Sequence, residues 1–157
     1  VIAVAAGTGI SVDATDPTTP SVALTSAVQT SLGKADTAVQ AASTTTLTNK
    51  RVTPRVTTIT SSATPTVNTD NTDVVDITAL AAAITSMTTN LTGTPTIGDV
   101  LVFQIKDNGT ARAITWGASF TAKGVALPTT TVINKLLTVG FLWNGSNWGC
   151  VGSASEA

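Results

Sequence analysis

Acidic and amide side chains crowd one short stretch, Asn68-Thr69-Asp70-Asn71-Thr72-Asp73, with Asp76 close behind. Oxygen-rich loops of this kind can hold Ca²⁺, which takes about six to eight oxygen ligands. The spacing departs from the EF-hand loop and no Glu closes it, so Asx turns that satisfy local backbone N–H groups are the stronger reading. A calcium ion near Asp70–Asp76 stays open as the alternative. The same carboxylates could serve glycoside hydrolysis, one protonating a leaving group and another assisting attack. Their turn-to-strand positions do not make them converge, and no aromatic-rich cleft accompanies them. Histidine is absent from the whole chain, which removes Ser-His-Asp and Cys-His nucleophile activation and the commonest zinc ligand. The lone Cys150 makes neither an internal disulfide nor a thiolate metal site. No P-loop and no Gly-x-Gly-x-x-Gly after a strand is present. The chain is not expected to be an enzyme or to carry a cofactor or a metal.

Recognition chemistry is better represented. Trp143, Asn144, Ser146, Asn147 and Trp148 cluster around one turn, and aromatic side chains with amides and hydroxyls beside them suit a sugar or protein surface. These five are the candidate ligand-binding residues. Core packing is the plain alternative for the tryptophans, Trp116 included.

Two turn sequences position these groups. Asp107-Asn108-Gly109-Thr110 and Asn144-Gly145-Ser146-Asn147 each separate runs of alternating apolar and polar residues, the strongest short-range hairpin signal. A two-residue loop at Asn108-Gly109 sets Phe103 opposite Ile114, Leu101 opposite Trp116 and Gln104 opposite Ala113. A loop at Gly145-Ser146 sets Trp143 opposite Trp148 and Phe141 opposite Cys150. Both registers gather the large apolar side chains on one face. In this register Cys150 is a small buried hydrophobe.

Composition narrows the class. The chain of 157 residues is 11% charged with a net charge of −1, so it carries no long-range field to recruit nucleic acid or an acidic membrane. Lys50, Arg51 and Arg55 form a basic cluster too small to track a phosphate backbone. No apolar run is long enough for a membrane span. Val1 in place of Met implies either processing or a longer polypeptide, the second being the expectation.

Three zones are expected along the chain. Residues 1–24 form a Gly/Thr-rich connector with short apolar runs at Val1–Val4, Ile10–Val12 and Val22–Leu24. Residues 25–48 hold a short helix and a polar linker, the stripe Leu24, Val28, Leu32, Ala35, Val39 having helical spacing over about Thr25–Ala42. Gly33 weakens that helix, and a short helix with one apolar side needs a partner surface. Residues 49–157 form the β head, with strands near 52–60, 64–67, 73–79, 84–91, 99–106, 111–116, 130–133, 136–143 and 147–152. The fold class is therefore mainly β, an antiparallel sandwich or jelly-roll-like head. Segment Ile77–Met87 is ambiguous, since Ala81-Ala82-Ala83 could also begin a helix.

Several stretches resemble tailed-bacteriophage fibre proteins. Gly7-Thr8-Gly9-Ile10-Ser11-Val12-Asp13 and Ser31-Leu32-Gly33-Lys34-Ala35-Asp36-Thr37-Ala38-Val39-Gln40 resemble their connectors. Asn49-Lys50-Arg51-Val52-Thr53-Pro54-Arg55, Thr78–Ala83, Ile105–Trp116 and Trp148-Gly149-Cys150-Val151 resemble the C-terminal domains of minor tail, tail-fibre and head-fibre proteins. The resemblance implies a virion surface protein, a homotrimer, attached through its N-terminal region to other virion proteins. The β head would then bind a host-surface glycan or protein. A structural capsid head-fibre or decoration protein with no ligand is the alternative. Self-association is also expected from the residues themselves, because a lone chain would leave Val4, Ile10, Val28, Leu32 and Val39 in water.

Overall fold

The computed structural model describes residues 7–13, 21–36, 49 and 51–157. The chain divides into two compact units, Val1–Lys50 and Arg51–Ala157. In the first, β1 (Ile10–Asp13) pairs antiparallel with β2 (Ser21–Leu24). Helix α1 (Ser26–Asp36) follows directly. The Thr25 carbonyl accepts the Gln29 N–H at 3.0 Å, and the Gln29 amide donates back to the Leu24 carbonyl. No described residue of α1 is buried. Ile10 is 41% and Leu32 50% exposed, while Val28 is half-buried, its methyl lying where a side chain on Gly9 would sit. Val4, Val39 and the Val1–Val4 run lie outside the described residues, as does the expected end of the helix beyond Asp36.

The second unit holds a six-stranded sheet in the order β3-β5-β7-β9-β10-β8 and a two-stranded sheet β4-β6. The strands are β3 (Val56–Ile59), β4 (Thr66–Asn68), β5 (Val74–Leu80), β6 (Asn90–Thr92), β7 (Val100–Asp107), β8 (Phe120–Ala122), β9 (Leu137–Trp143) and β10 (Trp148–Ser155). Strands β3, β5 and β7 run parallel, with Val56 beside Val74 and Val74 beside Val102. Parallel neighbours need a crossover. Here the crossovers are not helices: they carry β4 and β6, which pair parallel with each other, Thr66 beside Asn90. A further parallel bridge joins Ile84 to Ile114. Successive turns of chain thus stack strand on strand, as in a β-solenoid. Strands β9 and β10 then close the sheet as an antiparallel hairpin, and β8 adds parallel to β10.

The unit is mainly β, as its β-branched, Thr-rich sequence leads one to expect. Its mixed, stacked sheets do not make the expected antiparallel sandwich or jelly roll. The Asn144–Asn147 hairpin has the expected register, Trp143 opposite Trp148 and Phe141 opposite Cys150, with a bulge between Cys150 and Gly152. The Asp107–Thr110 hairpin does not form. Phe103 lies between Val75 and Val139, Leu101 beside Phe141, and Gln104 between Asp76 and Thr138. Ile114 and Ala113 make only isolated bridges, to Ile84 and Thr130, so the strands expected at 84–91, 111–116 and 130–133 shrink to single contacts or, at 90–92, to β6.

The physical reason is the side chain of Asp107. A type I′ hairpin turn needs positive φ at both central residues, and only Gly109, at 94°, has it. The Asp107 carboxylate instead accepts the Gly109 N–H at 3.0 Å, the Asn134 N–H at 3.0 Å and the Thr131 hydroxyl at 2.7 Å. That Asx turn carries the chain away from β7 and leaves its edge to β9.

Alternation on β5, β7 and β9 sends Val75, Ile77, Leu101, Phe103, Ile105 and Val139 into one core. At its centre Phe103, Trp116, Phe120 and Phe141 pack with ring centroids 4.9–5.9 Å apart, mostly edge to face, the arrangement aromatic quadrupoles favour. Cys150 is buried there too, and burial pushes its thiol pKa up. Phe103→Ala is expected to destabilise the second unit by about 3–5 kcal/mol. Asp107→Ala, which removes the acceptor of two backbone donors and of the buried Thr131 hydroxyl, is expected to cost roughly 2–5 kcal/mol. Chemical denaturation checks both, and a cost under about 1 kcal/mol for Phe103→Ala would contradict the packing described.

Candidate functional site

The Asp/Asn loop and the tryptophan hairpin, far apart in sequence, meet at one surface of the second unit. Two shallow cavities lie there, of about 250 and 160 Å³. Thr69 and Trp148 line both. The larger is further walled by Arg55, Asp70, Asp73, Thr94 and Asp99, the smaller by Leu91, Gly93, Pro95, Ser119 and Trp143.

The Asp70–Asp73 wall is held by its own hydrogen bonds. Asn68 Oδ1 accepts the Asp70 N–H at 3.0 Å, an Asx turn. Asp70 Oδ1 accepts the Thr94 N–H at 2.7 Å and the Thr94 hydroxyl at 3.2 Å, tying this loop to the one after β6. Asp99 Oδ2 accepts the Thr96 N–H at 2.8 Å. Arg55 grips Asp73 from two nitrogens, Nη2 to Oδ1 at 2.5 Å and Nε to Oδ2 at 3.0 Å, while its Nη1 donates to the Asp70 carbonyl at 2.5 Å. The Arg55 N–H reaches Asp73 Oδ2 as well. This bidentate pairing holds the Asp73 carboxyl at about 2, below its ordinary 3.8, and raises the Arg55 guanidinium. Among the described residues no group of acidic or thiol side chains is arranged to hold a metal. Arg55, one of the three residues of the basic cluster, is thus spent on a carboxylate.

The hairpin supplies the aromatic part. Trp143 and Trp148 pair at 5.2 Å between ring centroids, tilted. Trp148 is 2% exposed, and Trp143 is half-buried. The tip residues serve the turn. Asn144 Oδ1 accepts the N–H groups of Ser146 and Asn147 at 2.9 Å each, and its amide donates to Asn147 Oδ1 at 2.8 Å, which also takes the Thr121 hydroxyl. Of the five sequence-based candidates, Trp143 and Trp148 line the cavities, and Asn144, Ser146 and Asn147 do not.

Thr94, Asp99 and Ser119 carry no sequence signal, and Arg55 and Thr69 stand in the sequence only within the basic cluster and the Asn68–Asp73 stretch. Loops after β6 and before β7 bring in Thr94 and Asp99, and no local pattern gave those loops away. Gly93 is the local residue that marks this closure. It sits at φ 113°, and a Cβ there would fall 2.2 Å from the Thr69 hydroxyl. Only glycine lets these two loops close on each other.

Compared with known proteins, the chain matches no family model, no curated protein and no solved structure.

The Asp73 pairing predicts an acid response. Its pKa in the folded chain lies below the unfolded value, so the pair stabilises above about pH 4 and is lost as pH falls toward about 2. Thermal melts between pH 5 and 2 should show this loss, and Asp73→Asn should flatten it. The loss at neutral pH should be modest, because the pair is open to solvent. An unchanged acid slope in the variant would contradict the assignment.

Proposed function

We propose that this chain is a bacteriophage virion fibre protein whose β unit attaches to the host surface. The observation that carries this reading is that Trp148 lines one cavity with Asp70, Thr94 and Asp99 and a second with Trp143, a combination suited to adhesion. The fibre-like stretches in both units supply the virion setting. Trimerisation comes from the same resemblance, and the exposed Ile10 and Leu32 support self-association in physical terms. The N-terminal unit would join the chain to other virion proteins, at the surface of the extracellular particle.

A second reading, a capsid head-fibre or decoration protein with no ligand, is favoured by the hairpin tip. Asn144 and Asn147 are engaged with each other rather than held out for a ligand.

Two measurements decide. Light scattering on the purified chain should give the mass of three copies, and a monomer would remove the trimeric fibre reading. Labelled protein should adhere to bacterial cells in a panel of Gram-negative and Gram-positive strains. Trp143→Ala should weaken adhesion by about 2 kcal/mol, the scale of an interface hot spot. Absence of adhesion across the panel would favour the structural reading.

A further inference from the structure

Trp116 and Trp148 are almost equally buried, at 4% and 2% exposure, but their indole N–H groups differ. Trp116 Nε1 donates to the Pro128 carbonyl at 2.8 Å, as buried indoles generally do. Among the described residues Trp148 Nε1 has no acceptor. It is also not sealed off. Among the described residues the buried side-chain polar atom without a partner is Arg112 Nε, and Trp148 is not in that state. Its N–H therefore keeps an opening to solvent, and Trp148 lines both cavities. A nearly buried donor awaiting an acceptor marks a binding position.

The surrounding charges say what kind of acceptor. One guanidinium faces three carboxylates, Asp70, Asp73 and Asp99, in the larger cavity, an excess of two negative charges. Arg55 has committed Nε, Nη1 and Nη2 to Asp73 and the Asp70 carbonyl, so it has little to offer an incoming anion. Asp70 uses Oδ1 for Thr94, and Asp99 uses Oδ2 for Thr96. The other oxygen of each carboxylate is free to accept. A ligand here must donate to carboxylates while accepting from an indole, and it must not be anionic. Vicinal hydroxyls on a sugar ring do both. At about 250 and 160 Å³ each cavity falls below the range of about 300–1,000 Å³ typical of drug-sized ligands, which suits a single ring.

We infer that this groove binds a non-anionic sugar residue, which accepts from Trp148 Nε1 and donates to Asp70 and Asp99, and that an amino sugar binds more tightly than its neutral counterpart. The inference rests on the attachment reading of the same surface and names its ligand class.

The test follows the three indole N–H resonances of the full chain in ¹H–¹⁵N spectra, assigned by connectivities on the unaltered protein. The probes are methyl mannopyranoside, methyl galactopyranoside, glucosamine, glucuronate and N-acetylneuraminate. The Trp148 indole signal should move saturably with the first three and not with the last two. Glucosamine should bind about two- to fivefold more tightly than the neutral glycosides, the reach of a partly exposed ion pair. Asp99→Asn and Asp70→Asn keep the bonds to Thr96 and Thr94, and each should reduce that preference. Two results overturn the inference: an unmoved Trp148 signal with every non-anionic sugar, or an equal or stronger response to the acidic sugars. Cell adhesion with an unmoved Trp148 signal would sink the sugar assignment and leave attachment standing. A sugar response without cell adhesion would do the reverse.

Discussion

The buried carboxylate of Asp107 is the constraint on which the arrangement of the second unit depends. At 3% exposure, a charged group must be fully hydrogen-bonded to be tolerated. Burial pushes its pKa up, and the bonds from Asn134, Thr131 and Gly109, aided by the Arg112 charge, outweigh this and leave it lowered. These bonds come from two places in the chain, Gly109 and the 131–134 segment. They stop β7, turn the backbone through Gly109, and clamp the 131–134 segment against the strand end. Thr131 passes the network on by accepting the Arg112 N–H at 2.9 Å.

With that turn directed away from the sheet, one edge of β7 goes to β5 and the other to β9. The consequence is topological. Coils that stack parallel, β3 to β5 to β7, join an antiparallel hairpin within one sheet, and β8 is recruited to the far side of β10. Trp148 N–H to the Ser119 carbonyl at 2.8 Å ties β8 and β10 together. The aromatic cluster of Phe103, Trp116, Phe120 and Phe141 fills the interior that results, drawing one ring each from β7, the 111–116 segment, β8 and β9.

The groove is a by-product of the same stacking. Loops that link successive coils, 69–73 and 93–99, fall beside each other because β4 and β6 are in register, and the Thr69 N–H to the Thr92 carbonyl at 2.9 Å continues that ladder. The hairpin arriving through β9 and β10 then lays Trp148 against both loops. Walls held by their own hydrogen bonds form a preorganised surface, which would lose little entropy on docking a ligand.

The sequence alone determined what is local. Alternation in 99–106, 136–143 and 147–152 found β7, β9 and β10, and Asn144–Asn147 set its hairpin register, because adjacent strands joined by a short turn answer to nearby residues. The helical spacing of Val28 and Leu32 found α1. What the tertiary structure decided was non-local. Asp107-Asn108-Gly109 reads as a hairpin, and only its distant partners Thr131 and Asn134 make it an Asx turn. Parallel pairing of β3, β5 and β7 leaves no turn signature, since its partners are separated by whole coils. The groove combines Arg55, Thr94, Asp99 and Trp148, which no spacing in the chain connects, so only the stacking of coils brings them together.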